Sequence, residues 1–411
     1  MTRILILGAG VAGLASAIAL SKWSGELPDI TVVEVRSEPS SIGGAVGLTP
    51  NALRCLHHLG VLSHIRQQQY GVDIDKIELF TIYTGARLGQ ITFTGEKGDG
   101  VGTPKFKGLR IMRADLLKAL LKTAISLHSI KIEYGWKATH VEENDRDTTV
   151  SFDNGRSLQC DLLIGCDGVH SFVRSAVVDP ERAPTYTGIA TVFGFADLAE
   201  GAEVPWKDTG LCQSQRGTLM TSYFESTRKK QFIAGVMETE DVVSREGWKV
   251  QRTEQESIKK NVRNRFGNSA IKFLDPLIEA TDHWTLYPVY KLAPRGSWAS
   301  KRAILLGDAA HAMPPQGEST AYALEDAILF ARILQKHQQE GVDVALDVYQ
   351  RHRRERMDAA YDESAWGWET QKDCGWFSFF LRSWMTSGYL WWTASARQKR
   401  YKEDVGSADL E

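Results

Sequence analysis

The sequence predicts an α/β fold: a Rossmann-like dinucleotide-binding domain, a second domain built on a β-sheet, and a C-terminal helical segment. Three observations carry that expectation. The chain opens with an apolar strand, a glycine turn, a helix and a β-branched strand; two strand-rich stretches interrupt the α/β pattern further on; and after residue 365 the texture turns aromatic and helical. A chain of 411 residues with 43% hydrophobic content has material for two or three structural units.

The first unit reads directly from local pattern. "RILILG" is a continuous apolar run, Val11 to Trp23 is rich in Ala and Leu, and "ITVVEV" is β-branched, so the opening is a βαβ unit. A loop from Arg36 to Thr49 with "SIGGAVG" at its centre leads to a helix that starts near "PNALRCLHHLGVL", and "RADLLKALLKTAIS" predicts another. Between them "IDKIELFTIYTGARLGQITF" alternates like a hairpin turning at Thr84 and Gly85. Strand texture returns from about Ala183 to Tyr287. The expected division is 1–72, 100–182 and 285–365 for the dinucleotide domain, 73–99 and 183–284 for the sheet domain, and 366–411 for the C-terminal segment.

Two further strands, in "CDLLIGCDG" and "RAILLGD", end in glycine and aspartate at a turn. In open α/β sheets ligands collect at the carboxyl ends of strands, so these two tips and the "GAGVAG" turn are expected to converge on one ligand. After residue 365, Trp366, Trp368, Trp376, Trp384, Trp391 and Trp392 cluster, and Trp376, Phe380 and Trp384 share one helical face. Arg382 and the small polar residues make this a poor membrane span, and a helix packed on the body is preferred to one lying in a membrane interface. The "RHRRER" run at 351–356 reads as a solvated helix face.

Composition excludes some classes. With 49 basic and 51 acidic residues there is no field to recruit nucleic acid or an anionic membrane. The five cysteines, Cys55, Cys160, Cys166, Cys212 and Cys374, are scattered without a C-x-x-C spacing, which points to reduced thiols in the cytoplasm rather than disulfides, and no metal site is expected. The apolar N-terminus reads as the first strand and helix, not as a secretion signal.

The chemistry begins at Gly8, Gly10 and Gly13, a G-x-G-x-x-G turn between strand and helix, with Glu34 closing the next strand. Such glycines let backbone approach a pyrophosphate, and the acid binds a ribose hydroxyl pair. Two more motifs follow in order: "CDGVHSFVR" from Cys166 to Arg174, and "GDAAHAMPP" from Gly307 to Pro315. With these three motifs in this order, residues 1 to about 365 resemble the single-component, group A flavin monooxygenases of the para-hydroxybenzoate hydroxylase fold, in the salicylate-hydroxylase-like branch.

That resemblance implies FAD as cofactor and NADPH or NADH as electron donor. It implies a flavin hydroperoxide that hydroxylates or epoxidises a small organic molecule with O2, in a secondary-metabolic setting. It assigns cofactor contacts to Gly8, Gly10, Gly13, Glu34, Asp167 and Asp308, to Arg113 near the pyrophosphate, to Ala45 in the flavin-contacting loop, and to Gly317 and Ala321 before and in the long helix.

The chain also departs from the family's pattern. Where many relatives place an arginine beside a phenolic substrate, "YTGIATVFG" has Phe193, which implies a more apolar partner: a hydrophobic aromatic, indole or polyketide-derived molecule. Tyr223 matches a strand tyrosine facing the substrate, and is a candidate for hydrogen bonding to it. Glu318 stands where relatives have a neutral residue at the helix N-terminus that receives the flavin's pyrimidine edge. It reads as an acid pointing away and stabilising the helix start, with an acid or base role toward substrate as the sharper alternative. His311 reads as a buried hydrogen-bonding residue.

Alternatives on the same fold are an oxidase or dehydrogenase, a Baeyer–Villiger enzyme and, remotely, a binding protein of the Rab escort type. A flavin halogenase is discounted because "AWGWET" at 365–370 lacks the Ile-Pro of that family's motif. Oligomeric state and the identity of the substrate are not legible.

Overall fold

A strand of consecutive apolar residues has two faces to bury, which suits the middle of a parallel sheet. Ile4, Leu5, Ile6 and Leu7 are each 4% exposed or less. Their strand, Arg3–Leu7, is the central one of five in the computed structural model, which describes residues 2–23, 28–39, 43–240, 252–314 and 316–410. The order is Ala303–Leu305, Leu162–Gly165, Arg3–Leu7, Asp29–Glu34, Ile130–Tyr134, all parallel. The helices Val11–Trp23, Arg113–Ile125 and Ser319–Lys336 pack together beside this sheet and share its core. Leu162–Gly165 and Ala303–Leu305 lie side by side next to the first strand, so all three glycine-ended tips point the same way.

Both strand-rich stretches enter one seven-stranded sheet. Its order is Thr285–Lys291, Thr185–Asp197, Lys230–Glu238, Gly217–Ser222, Thr209–Ser214, Lys76–Thr81, Arg87–Thr92. The parallel pairing of Thr209–Ser214 with Lys76–Thr81 joins the two stretches. Thr285–Lys291 pairs with Thr185–Asp197, so a strand beyond residue 284 belongs to this sheet. The expected hairpin forms, with Gly85 at φ 69° in its turn.

The two faces of the sheet differ. Val192, Leu219 and Ile233 face a core closed by the helices Arg252–Phe266 and Leu274–Ala280. The alternate residues, Phe193, Phe195, Met220, Phe232 and Ala234, face a small antiparallel sheet of order Ala45–Leu48, Gly108–Met112, Val72–Ile74. Part of what the sequence reads as a loop from Arg36 to Thr49 is thus strand: Ala45 to Leu48 pair with Met112 to Leu109.

Two C-terminal expectations are corrected. Of the "RHRRER" run, Arg353 is 2% exposed and ion-paired to Glu325 and Asp326, and Arg354 lies 3.8 Å over the ring of Trp298. The run caps buried carboxylates of the preceding helix instead of being a wholly solvated face. The helix Trp376–Trp392 does rest on the body, but by a side about a quarter-turn round from the aromatic stripe, of which Trp376 still meets Tyr83 with ring centres 5.1 Å apart. Phe379 and Leu390 are buried, with Leu390 filling the space left by Gly89, whereas Trp376, Phe380 and Trp384 are exposed. Trp384 and Trp392 join Trp366, Met385, Gly388 and Tyr389 around a shallow apolar cleft of about 410 Å³. Among the described residues no helix is long and apolar enough to cross a membrane.

Candidate active site

The three strand tips meet closely enough that side chains would not fit between them. Gly8 has φ 104°, and a Cβ there would lie 2.4 Å from the Cys166 carbonyl oxygen; one on Gly13 would lie 1.8 Å from the Gly8 oxygen. Gly10 is different: nothing stands within 4 Å of the position its Cβ would take. The turn therefore packs tightly on one side and opens on the other, at the N-terminus of Val11–Trp23, a helix with no acid in its first turn. Glu34 is buried at the next tip, its carboxylate accepting hydrogen bonds from the Ala9 N–H at 3.0 Å and the Arg36 N–H at 3.1 Å.

Asp167 and Arg174 organise the second tip. One oxygen of Asp167 accepts from the backbone N–H of Phe172 at 2.6 Å and of Val173 at 3.2 Å, and burial raises its pKa. Arg174 is 2% exposed and donates to the carbonyls of Val169, Arg182 and Ala309, tying the second tip to the third. The third tip is held from below. Asp326, fully buried, accepts from the Gly307 N–H at 2.9 Å and from His311 Nε2 at 2.6 Å, and pairs with Arg353 at 2.7 Å. His311 and Arg353 hold Asp326 against its burial well below the usual carboxylate range. His311 thus has the buried hydrogen-bonding role read from the sequence.

Asp308 is reached by solvent although protein surrounds it, the signature of a side chain lining a groove. Burial raises its pKa while His311 and Arg113 lower it. Tyr287 lines the same space, its pKa raised by burial and then by Asp308, with Arg113 and Arg36 opposing. Arg113 starts its helix with its backbone N–H donating to the Gly44 carbonyl, and its side chain passes where a Cβ on Gly43 would be, 2.8 Å from Arg113 Cδ.

An aromatic cluster packs against the other side of that loop. A Cβ on Gly44 would lie 2.5 Å from Phe232 and 3.2 Å from Phe193, and Ala45 packs with Phe232 and Ala234, bordered by Met112, Phe195, Met220 and Phe224. Phe193 therefore faces the loop. The sequence reading missed Arg110, whose guanidinium lies against Met220 Sδ at 3.5 Å on this side of the small sheet.

A family model described as an FAD binding domain matches residues 1–364. The chain belongs to the FAD-dependent monooxygenase family of the para-hydroxybenzoate-hydroxylase-like fold. It is 25% identical to a 6-hydroxynicotinate 3-monooxygenase of Bordetella bronchiseptica, over 86% of this chain and 88% of the relative. It is 26% identical to a salicylate hydroxylase of Pseudomonas putida, over 90% and 85%. Among solved structures it resembles HpxO of Klebsiella pneumoniae complexed with FAD and uric acid, with TM-score 0.74 and 21% identity, over 98% of this chain and 94% of that one.

The cofactor of this family is FAD, and the residues present fit it. Open space at Gly10 above a helix N-terminus suits a pyrophosphate, Glu34 closes the adjoining tip, and Asp308 and Arg113 line the groove that continues from it. The other residues expected at the site have different surroundings. Gly317 has φ 86° and open space about it, and Ala321 is 2% exposed in the first turn of Ser319–Lys336. Glu318 is the residue preceding that helix. It is half-buried, accepts from Tyr322 Oη at 2.8 Å, and its charged neighbours are Arg400, Glu325 and Glu363. Tyr223 lies under Arg228, 4.8 Å from the ring centre, and it is the neighbouring Phe224 that borders the Phe193 cluster. Pro315, the last residue of the third motif, lies outside the described residues.

Proposed function

We propose that the chain is an NAD(P)H-dependent monooxygenase that adds one atom of O2 to an aromatic small molecule held between the seven-stranded sheet and the Gly43 to Ala45 loop. The observation that carries this reading is the shared wall. The loop that touches Arg113 on the cofactor side touches Phe193 and Phe232 on the other. FAD, when bound, supplies the activation of oxygen.

The chain's own residues supply place and exclusion. Phe193, Phe195, Phe232 and Phe224 offer faces and edges to a flat ring and keep water from it. In this reading the two strand-rich stretches together form the substrate domain. The activities of the relatives, on 6-hydroxynicotinate and salicylate, support an aromatic substrate and hydroxylation over epoxidation or Baeyer–Villiger insertion. A single G-x-G-x-x-G turn supports a nicotinamide that visits without a domain of its own.

The test is oxygen accounting. Purified protein should be yellow and, given NADPH or NADH, isotopically labelled dioxygen and a panel of aromatic acids and phenols, should place label in an organic product. Hydrogen peroxide formed in step with oxygen uptake for every compound, with no labelled product, would replace this reading by an oxidase.

A further inference from the structure

We infer that Arg110 is the specificity-determining residue of the proposed site: its guanidinium receives the carboxylate of an aromatic acid whose ring lies against Phe193 and Phe232. The inference rests on the monooxygenase reading for where the ring sits.

The strand Gly108–Met112 sends alternate side chains to opposite sides. Leu109 and Ile111 are fully buried in the main core, so Arg110 and Met112 point the other way, toward the aromatic cluster that Met112 borders. Space is kept for the guanidinium. Gly47 stands opposite Arg110 in the strand register, and a Cβ there would lie 3.1 Å from Arg110 Nη1. Arg110 is 5% exposed, and among the described residues its one hydrogen-bond contact is with the weak acceptor Met220 Sδ, while its buried Nε has none. No charged neighbour among the described residues offsets its desolvation; burial alone lowers its pKa, to about 10, so it stays a cation at neutral pH.

Other deeply buried arginines are answered within the chain. Arg54 donates to the carbonyls of Val101, Tyr401 and Glu403; Arg174 donates to three carbonyls; Arg353 pairs with two carboxylates. A buried cation without a partner is costly and is expected to acquire one. A planar fork on the side of the strand that faces an apolar, aromatic cluster matches a carboxylate on a flat ring, which can accept two parallel N–H bonds. Phe193 removes the family's cation from one strand, and Arg110 supplies one from another.

Holoenzyme titrated with benzoate, salicylate and indole-3-carboxylate, each against its primary amide and followed by flavin absorbance, tests this. At least one acid should bind about tenfold or more tightly than its amide. That preference should vanish in Arg110→Met and survive in part in Arg110→Lys, with flavin content unchanged in both. The inference is overturned if no acid is preferred by the wild type, if Arg110→Met keeps the preference, or if a folded Arg110→Met loses flavin. Should Arg110→Met not fold, the wild-type ratio and Arg110→Lys decide. Product analysis separates the two readings: acids that bind but are never oxygenated leave the anion site standing and remove the monooxygenase reading, and oxygenation of neutral aromatics alone does the reverse.

Discussion

Gly10 and Gly13 occupy one turn and answer to different demands. An added methyl at Gly13 meets the Gly8 oxygen at 1.8 Å, so Gly13→Ala should destabilise the protein by about 1–3 kcal/mol through overpacking. At Gly10 the methyl meets open space. Gly10→Ala should fold with an apoprotein melting temperature close to wild type yet purify with much less flavin; equal flavin content in the two proteins would show that the open space is not the cofactor's. Glu318 makes a second residue-scale prediction. Burial holds its pKa above that of an ordinary glutamate, so the folded state favours the protonated form. Its ionisation therefore costs stability as pH rises from the unfolded pKa through the folded one, and below both it costs nothing. Glu318→Gln should be more stable than wild type at pH 7 and should lose that advantage at acid pH, as read by denaturant titration. With Tyr322 and Arg400 as its neighbours, the substitution should leave the pH profile of turnover unchanged.

At the scale of elements, the helix Trp376–Trp392 shows where periodicity misleads. An aromatic stripe ordinarily marks the buried face, but here the contact side is set by what the sheet edge offers: Gly89 admits Leu390, and Tyr83 packs edge-on to Phe379 with ring centres 5.2 Å apart. Phe379→Ala should cost about 3 kcal/mol, whereas Trp391→Ala, at a residue 83% exposed, should stay within about 0.5 kcal/mol. Equal costs in thermal or urea unfolding would contradict this orientation. The strands Arg3–Leu7 and Asp29–Glu34 and the helix Val11–Trp23 were legible because their patterns are local. The strand Ala45–Leu48 was not, because its four residues "AVGL" show no alternation and gain strand form by pairing with Gly108–Met112. Arg110 was missed for the same reason: a lone arginine in a strand has no motif, and only the cluster opposite gives it meaning.

Across the whole molecule, the residues after 392 close back on the cofactor domain. Arg54, 1% exposed, donates to the carbonyls of Tyr401 and Glu403; Arg332 donates to those of Val405 and Ala408; Asp404 pairs with His58. Deleting residues 394–411 leaves Arg54 with the Val101 carbonyl as its hydrogen-bond acceptor. At roughly 1.5–3 kcal/mol for each lost bond to a buried charge, such a truncation should lower the melting temperature by several degrees; an unchanged melt would mean this clasp is dispensable. Sequence alone determined the cofactor half. Its glycine turns, strand tips and helix starts are short-range features, each written in a few consecutive residues whose backbone freedom and polarity decide their conformation. Only the tertiary structure decided the half proposed for the substrate: which face of the sheet meets the loop at Gly43 and Gly44, which aromatics gather there, and that Arg110 stands beside them with Met220 Sδ, a weak acceptor, and no charged partner among the described residues. Those facts depend on pairing and packing between segments far apart in the chain, and burial, which sets the cost of a charge, exists only once they meet.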